Sequence, residues 1–224
     1  RYISVTGVQT CALPISLVVL LVRGGHTMII EMRGHGDYTI LGRTIDDAAG
    51  EAYDKVARYL DLGYPGGPVI DRVSADGDPA SIDFPRAMMH DGLDFSFSGL
   101  KTAVVNHVRR NPGVRNVDVA ASFQAAVVDV LCAKTLKAAR QVGARGVVLG
   151  GGVAANSLLR SEMQRRGAEA GLKVALPSRA MCTDNAAMIA SAAWHRVRSD
   201  GPMGLDCGAW PNLKLSEVPR STAS

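Results

Sequence analysis

Two short glycine-rich stretches hold the side chains best placed for chemistry. The first is "VRGGHT", Val22 to Thr27, a glycine pair between two apolar runs with a cation, an imidazole and a hydroxyl beside it. Glycines at a hairpin tip can take positive φ and let a ligand come close to the backbone. Successive N–H groups at such a tip form an anion nest. The second is "VVLGGGVAAN", Val147 to Asn156, a triple glycine behind a buried run and ahead of a helical pattern. A helix start there offers unpaired N–H groups and partial positive charge. Asn156 can hydrogen-bond a ribose, a base edge or a carbonyl. Alone, each reads most simply as a bend, and the second lacks the G-x-G-x-x-G spacing of dinucleotide folds. Together, two glycine turns behind two strands predict a clamp on a nucleotide.

Carboxylates form the next candidate group. Asp46, Asp47, Glu51 and Asp54 fall within "DDAAGEAYDK". Asp47, Glu51 and Asp54 have the spacing of one helix face. Either a donor lies opposite them, or they make a solvated face beside Lys55 and Arg58. Asp184, in "CTDN", sits at a helix start, where it is either an N-cap or one ligand of a metal. The histidines, His26, His35, His90, His107 and His195, contain no H-x-x-x-H pair, so the sequence has no self-sufficient metal site. Cys11, Cys132, Cys182 and Cys207 lack zinc or redox spacing, which points to a reduced intracellular protein. No G-x-S-x-G, H-E-x-x-H or P-loop occurs, which removes support for a hydrolase with its own triad.

The elements that must carry these residues follow from periodicity. The chain has 224 residues, 47% hydrophobic and 21% charged, with a net charge of +4, enough apolar content for a buried core. Leu17–Val22 and Thr27–Met32 read as a hairpin, "RGHGD" as a turn, and Tyr38–Thr44 as a third strand. Residues 45–63 read as a helix capped by Asp46 or Asp47, with Ala49, Ala52, Tyr53, Val56 and Leu60 on its apolar face. "YPGGPVI" reads as a turn and 71–91 as irregular. Ser98 is expected to cap a helix to Arg110. A long helix is expected over Val119–Val142, with Phe123, Val127, Val130 and Leu131 inward. Strand, glycine turn and helix follow, then a strand in "LKVALP" and a last helix with Thr183 or Asp184 at its start. An antiparallel beginning and a parallel end predict an α/β lobe, a mixed five-stranded sheet flanked by helices. This is the ribonuclease-H-like lobe of actin, sugar kinases and heat-shock proteins. Residues 1–16 read as a non-native, poorly packed leader, and the tail from Ser216 as disordered.

The motifs "RGGHT", "DDAAGEAYDK", "YPGGP", "DFSFSGLKTA", "GGGVAAN" and "CTDNAAMIA" occur in the order of one family. Over Leu17–Leu215 the chain resembles the TsaD family of tRNA threonylcarbamoyladenosine-forming transferases, and "IDFPRAMM" resembles its bacterial or organellar branch. The resemblance implies the second actin-like lobe of an acyltransferase, over residues 17–216, with a helical insertion at about 64–112. It implies transfer of a threonylcarbamoyl group from threonylcarbamoyl-AMP to the exocyclic amine of adenosine 37 in tRNAs reading codons that begin with A. The implied substrate contacts are Val22, Arg23, Gly24, Gly25, His26, Asp54, Gly67, Asp71 and Asn156, with no catalytic side chain assigned. Asp184 is the implied ligand of one divalent metal, iron or zinc, shared with a histidine pair of a first lobe absent from this chain. The implied partners are tRNA, a degenerate actin-fold paralogue and a small ATPase subunit, in the cytoplasm without a membrane.

Two departures qualify the resemblance. The family has Ser where this chain has Arg23; the cation either pairs with phosphate, fills the pocket or is a reading error. The absent lobe leads us to expect no tight metal binding and no transfer by this chain alone. Two other readings are a non-catalytic scaffold of the same complex and an acetate- or sugar-kinase relative.

Overall fold

Residues 16–204, with 206, 208, 213 and 215, are described by a computed structural model. The expected leader, up to residue 15, and the tail from Ser216 lie outside the described residues. Ser16, assigned to the leader, is tied in: its carbonyl accepts from Arg145 N at 3.0 Å and its hydroxyl donates to Glu31 at 3.1 Å.

The sheet comprises β1 (Leu17–Val22), β2 (Thr27–Gly34), β3 (Asp37–Arg43), β4 (Gly146–Gly150) and β5 (Lys173–Ala175). Its order is β3-β2-β1-β4-β5. The β1–β2 and β2–β3 pairs are antiparallel, and β1–β4 and β4–β5 are parallel, as the pattern predicted. Alternation along β1 buries Val18, Leu20 and Val22 on one face. The register sets Leu20 beside both Ile29 and Leu149, so that face continues across strands.

Among the described residues, six α-helices flank the sheet: α1 (Ala49–Tyr59), α2 (Gly66–Val73), α3 (Ser98–Arg110), α4 (Asn116–Gln141), α5 (Ser157–Glu169) and α6 (Ala186–Asp200). Ala49, Ala52, Tyr53, Val56 and Leu60 are all buried, confirming the predicted face. Helix α4 buries Phe123, Val127, Val130 and Leu131. It is long and apolar enough to cross a membrane, but 83% of its most apolar window is buried inside the fold. Segment 64–112 adds Ile70, Phe84, Phe95, Phe97, Leu100 and Val104 to the same core.

Several local expectations change. Asp46 and Asp47 do not cap α1; Ala48 is its N-cap, and the Ala49 N–H donates instead to Thr27 Oγ1 at 2.9 Å. Asp46 reaches the start of α3, accepting from Phe97 N at 2.9 Å and from the Ser96 and Ser98 hydroxyls at 2.6 Å. Ser98 is thus the first residue of α3 and a donor to Asp46, not its cap. "YPGGPVI" enters α2 rather than a turn, because Gly66 N donates to Asp54 Oδ1 at 2.7 Å and so starts a helix there. Helix α4 begins at Asn116, ahead of Val119, and β2 continues to Gly34, which shrinks the "RGHGD" turn.

Candidate functional site

The two glycine turns meet at the carboxyl ends of β1 and β4. Beyond these parallel neighbours the chain leaves in opposite directions across the sheet, from β1 to β2 and from β4 to β5. Open α/β sheets bind ligands at such a switch point. Arg23 N donates to His26 O at 2.8 Å and closes the β1–β2 tip. Neither Gly24 nor Gly25 uses positive φ, contrary to expectation. Their neighbour makes the demand instead: a Cβ on Gly50 would lie 2.8 Å from the Gly24 Cα. In the second turn Gly151 does take positive φ, at 90°, and a Cβ there would collide with the Val22 carbonyl oxygen.

A cavity of about 470 Å³ opens beside these turns. Gly24, Asp54, Gly67, Asp71 and Asn156, contacts implied by the resemblance, all line it. Val22 is 0% exposed and does not line the cavity. Arg23, Gly25 and His26 are exposed on the tip, outside the lining.

Three polar side chains of the wall, Asp54, Asp71 and Asn156, are each fixed by a helix start. Asp54 binds Gly66 N. Asp71 accepts from Ser157 N at 3.1 Å and from its hydroxyl at 2.6 Å. Asn156 caps α5 by accepting from Leu159 N at 2.9 Å, while its amide donates to Gln124 at 2.8 Å. A cap of this kind contributes about 1 kcal/mol. These residues thereby join α1 to α2, α2 to α5, and α5 to α4, and hold the wall rigid before any ligand arrives.

The expected carboxylate face divides. Asp47 precedes α1 and, with Glu51, grips Lys55 at 2.7 and 2.8 Å. Hydrogen bonds that Lys55 donates to these carboxylates push its pKa up. Asp54 instead turns to α2 and the cavity. Tyr53 is the residue that sequence reasoning treated only as core. It lines the cavity, yet its hydroxyl is buried without a hydrogen-bond partner. Burial, with the nearby Asp71 charge, pushes its phenol far up.

Asp184 is not an N-cap: Asn185 caps α6 by accepting from Met188 N at 3.0 Å. Asp184 Oδ2 lies 3.2 Å from Arg23 Nη2, both side chains exposed. No group of three or more His, Cys, Asp or Glu able to hold a metal occurs among the described residues. One exposed carboxylate facing a guanidinium does not by itself make a metal centre.

The model of the family described as tRNA N6-adenosine threonylcarbamoyltransferase matches residues 3–191. The chain belongs to this family. The match begins inside the stretch expected to be a non-native leader. A transferase of that name from Geobacter metallireducens is 58% identical over 206 residues, covering 90% of this chain and 60% of that protein. Another from Moorella thermoacetica is 52% identical over 211 residues, covering 91% and 61%. The chain therefore spans less than two thirds of the length of these family members. Among solved structures, HypF from T. kodakarensis aligns at a TM-score of 0.62 with 15% identity, over 81% of this chain and 34% of that one. The activator of 2-hydroxyisocaproyl-CoA dehydratase from Clostridium difficile, with bound ADPNP, aligns at 0.50 with 16% identity, over 86% and 66%. These likenesses establish an actin-like α/β lobe, as predicted. The transferase relatives favour neither the scaffold nor the kinase reading.

Proposed function

We propose that this chain supplies the adenylate-binding part of a tRNA N6-adenosine threonylcarbamoyltransferase. One observation carries the reading. The cavity at the switch point gathers Gly24, Asp54, Gly67, Asp71 and Asn156 from separate segments. The ligand is threonylcarbamoyl-AMP. Its adenosine lies along the wall of Tyr53, Gly67 and Asn156, and its phosphate faces the glycine turns and their N–H groups.

In the reaction, the exocyclic nitrogen of a tRNA adenosine beside the anticodon attacks the threonylcarbamoyl carbonyl carbon. A new N–C bond forms, the bond from that carbon to the phosphate oxygen breaks, and AMP leaves with the electron pair. The amine releases one proton to solvent. The described residues bind and orient the adenylate; none is assigned as the base. Pre-set positions of this kind lower the barrier by holding the reacting centre in place. The degenerate actin-fold paralogue, the small ATPase subunit and a cytoplasmic setting belong to the same proposal. So does the acceptor, adenosine 37 of tRNAs reading codons that begin with A. The ADPNP held by the dehydratase activator, a protein of similar fold, supports nucleotide binding here.

Isothermal titration of the purified chain with threonylcarbamoyl-AMP, or a non-hydrolysable analogue, tests the reading. Saturable one-site binding is expected, weakened at least about tenfold by Asn156→Ala, which removes one polar contact. Absence of binding by a chain whose circular dichroism shows it folded overturns the reading.

A further inference from the structure

Arg72 on α2 and Arg179 in the turn Arg179–Met181 both line the cavity and are exposed. Neither guanidinium makes a hydrogen bond or ion pair with any described residue. Arg179 acts electrostatically on the Cys182 thiol, whose pKa burial pushes up. The other charged residues of the wall, Asp54 and Asp71, spend their carboxylates on backbone N–H groups of α2 and α5. The carboxylates keep their charge, so two aspartates and two arginines leave the wall formally neutral, but only the carboxylates are tied to the fold by hydrogen bonds. The two guanidiniums come from separate segments that face one apolar-walled space.

We propose that Arg72 and Arg179 form a clamp on the phosphate of a nucleoside monophosphate. The clamp rests on the adenylate reading above and adds a selectivity to it. Guanidinium groups bind phosphate oxygens through paired, charge-assisted hydrogen bonds. In an acyl-adenylate the phosphate carries one negative charge. When the acyl–oxygen bond breaks, the leaving oxygen keeps the electron pair, and the phosphate of AMP approaches two charges at neutral pH, its second pKa being about 6. Two arginines answer that increase. The clamp thus holds the substrate and stabilises the leaving group, so both arginines touch the ligand and determine specificity.

Calorimetric titration of the chain with AMP and with adenosine, at low and high salt, tests the clamp. AMP is expected to bind about 10- to 100-fold more tightly than adenosine at low salt, with the advantage shrinking as salt rises. Arg72→Ala and Arg179→Ala are each expected to reduce the advantage about tenfold, with adenosine affinity unchanged. Both side chains are exposed, so the variants should melt with the parent. Equal binding of AMP and adenosine sinks the clamp and leaves the adenylate cavity standing. Failure of both ligands to bind sinks the adenylate reading itself. Variants that keep the AMP advantage but lose affinity for a short RNA assign the arginines to an RNA backbone, and overturn the clamp.

Discussion

Arg23 Nη2 stands 3.2 Å from Asp184 Oδ2, tying the β1–β2 tip to the segment that leads into α6. The pair joins the residue that departs from the family pattern to the carboxylate that the resemblance names as a metal ligand. The guanidinium thus turns to a carboxylate of its own chain, and it is absent from the cavity lining.

Arg23→Ser should therefore change little in stability. Exposed ion pairs contribute about 0–1 kcal/mol, and the side chains here are 47% and 79% exposed. The variant should also keep AMP affinity within about twofold, a difference of under 0.5 kcal/mol. Urea melts and calorimetry read both quantities. A larger loss of AMP affinity would show that Arg23 leaves Asp184 for the ligand.

Asp46 gives a pH prediction. Burial disfavours its charge, but hydrogen bonds from Ser96, Ser98 and the Phe97 and Ser98 N–H groups outweigh it and hold the pKa below the usual carboxylate value. A depressed pKa adds stability above the unfolded value of about 3.9. That stability fades as pH falls through the lower, folded value. Asp46→Asn should thus cost stability at pH 7, and the cost should shrink only below about pH 4. Urea melts of both proteins from neutral to acid pH test the sign. A cost that grows as pH falls would contradict it.

Asp46 also shows which parts of the fold can be read locally. β1 is plain in the sequence because its apolar run ends at a glycine pair, and the face of α1 because its period is helical. The cap of α3 is not, since its carboxylate, Asp46, comes 51 residues before Phe97. Helix α2 is hidden for a similar reason. Its first residues, Gly66 to Pro68, look like breakers, and only the distant Asp54 carboxylate shows that a helix begins there. Gly66 is needed because a Cβ would come 2.5 Å from the Tyr53 carbonyl oxygen. At the site, the residue types alone pointed to the Gly24 turn and Asn156, while Asp54, Gly67 and Asp71 entered as ligand contacts only through the resemblance to the TsaD family. Tyr53, Arg72 and Arg179 went unassigned because a tyrosine in a core stripe and a surface arginine carry no signal until the cavity is formed.

The triple glycine supplies a paired test. Gly151 needs positive φ and has no room for a Cβ, whereas Gly152 has nothing within 4 Å of the position a Cβ would take. With φ 90° and ψ 167°, Gly151 lies in a region essentially reserved for glycine, which costs another residue about 1–3 kcal/mol, and the collision with Val22 adds to that. Gly151→Ala should destabilise by about 2 kcal/mol or more, and Gly152→Ala by under about 1 kcal/mol. Chemical denaturation ranks them, and equal costs would remove the claim that β1 and the second turn press together.

Tyr53 separates a ligand role from a packing role. Its ring packs edge-on against Phe123 with centroids 5.3 Å apart, and its hydroxyl has no partner. A buried hydroxyl left unsatisfied costs about 1–3 kcal/mol. Tyr53→Phe keeps the ring and deletes that cost, so it should leave stability unchanged or raise it by about 1 kcal/mol. The same variant should bind AMP like the parent if the hydroxyl faces only Asp71 and the core. If it instead loses about tenfold in affinity, a factor worth 1.4 kcal/mol, the hydroxyl is retained for the ligand at a cost to the empty fold. Denaturation and calorimetry on this one variant decide between the two, because packing acts on stability alone and ligand contact acts on affinity.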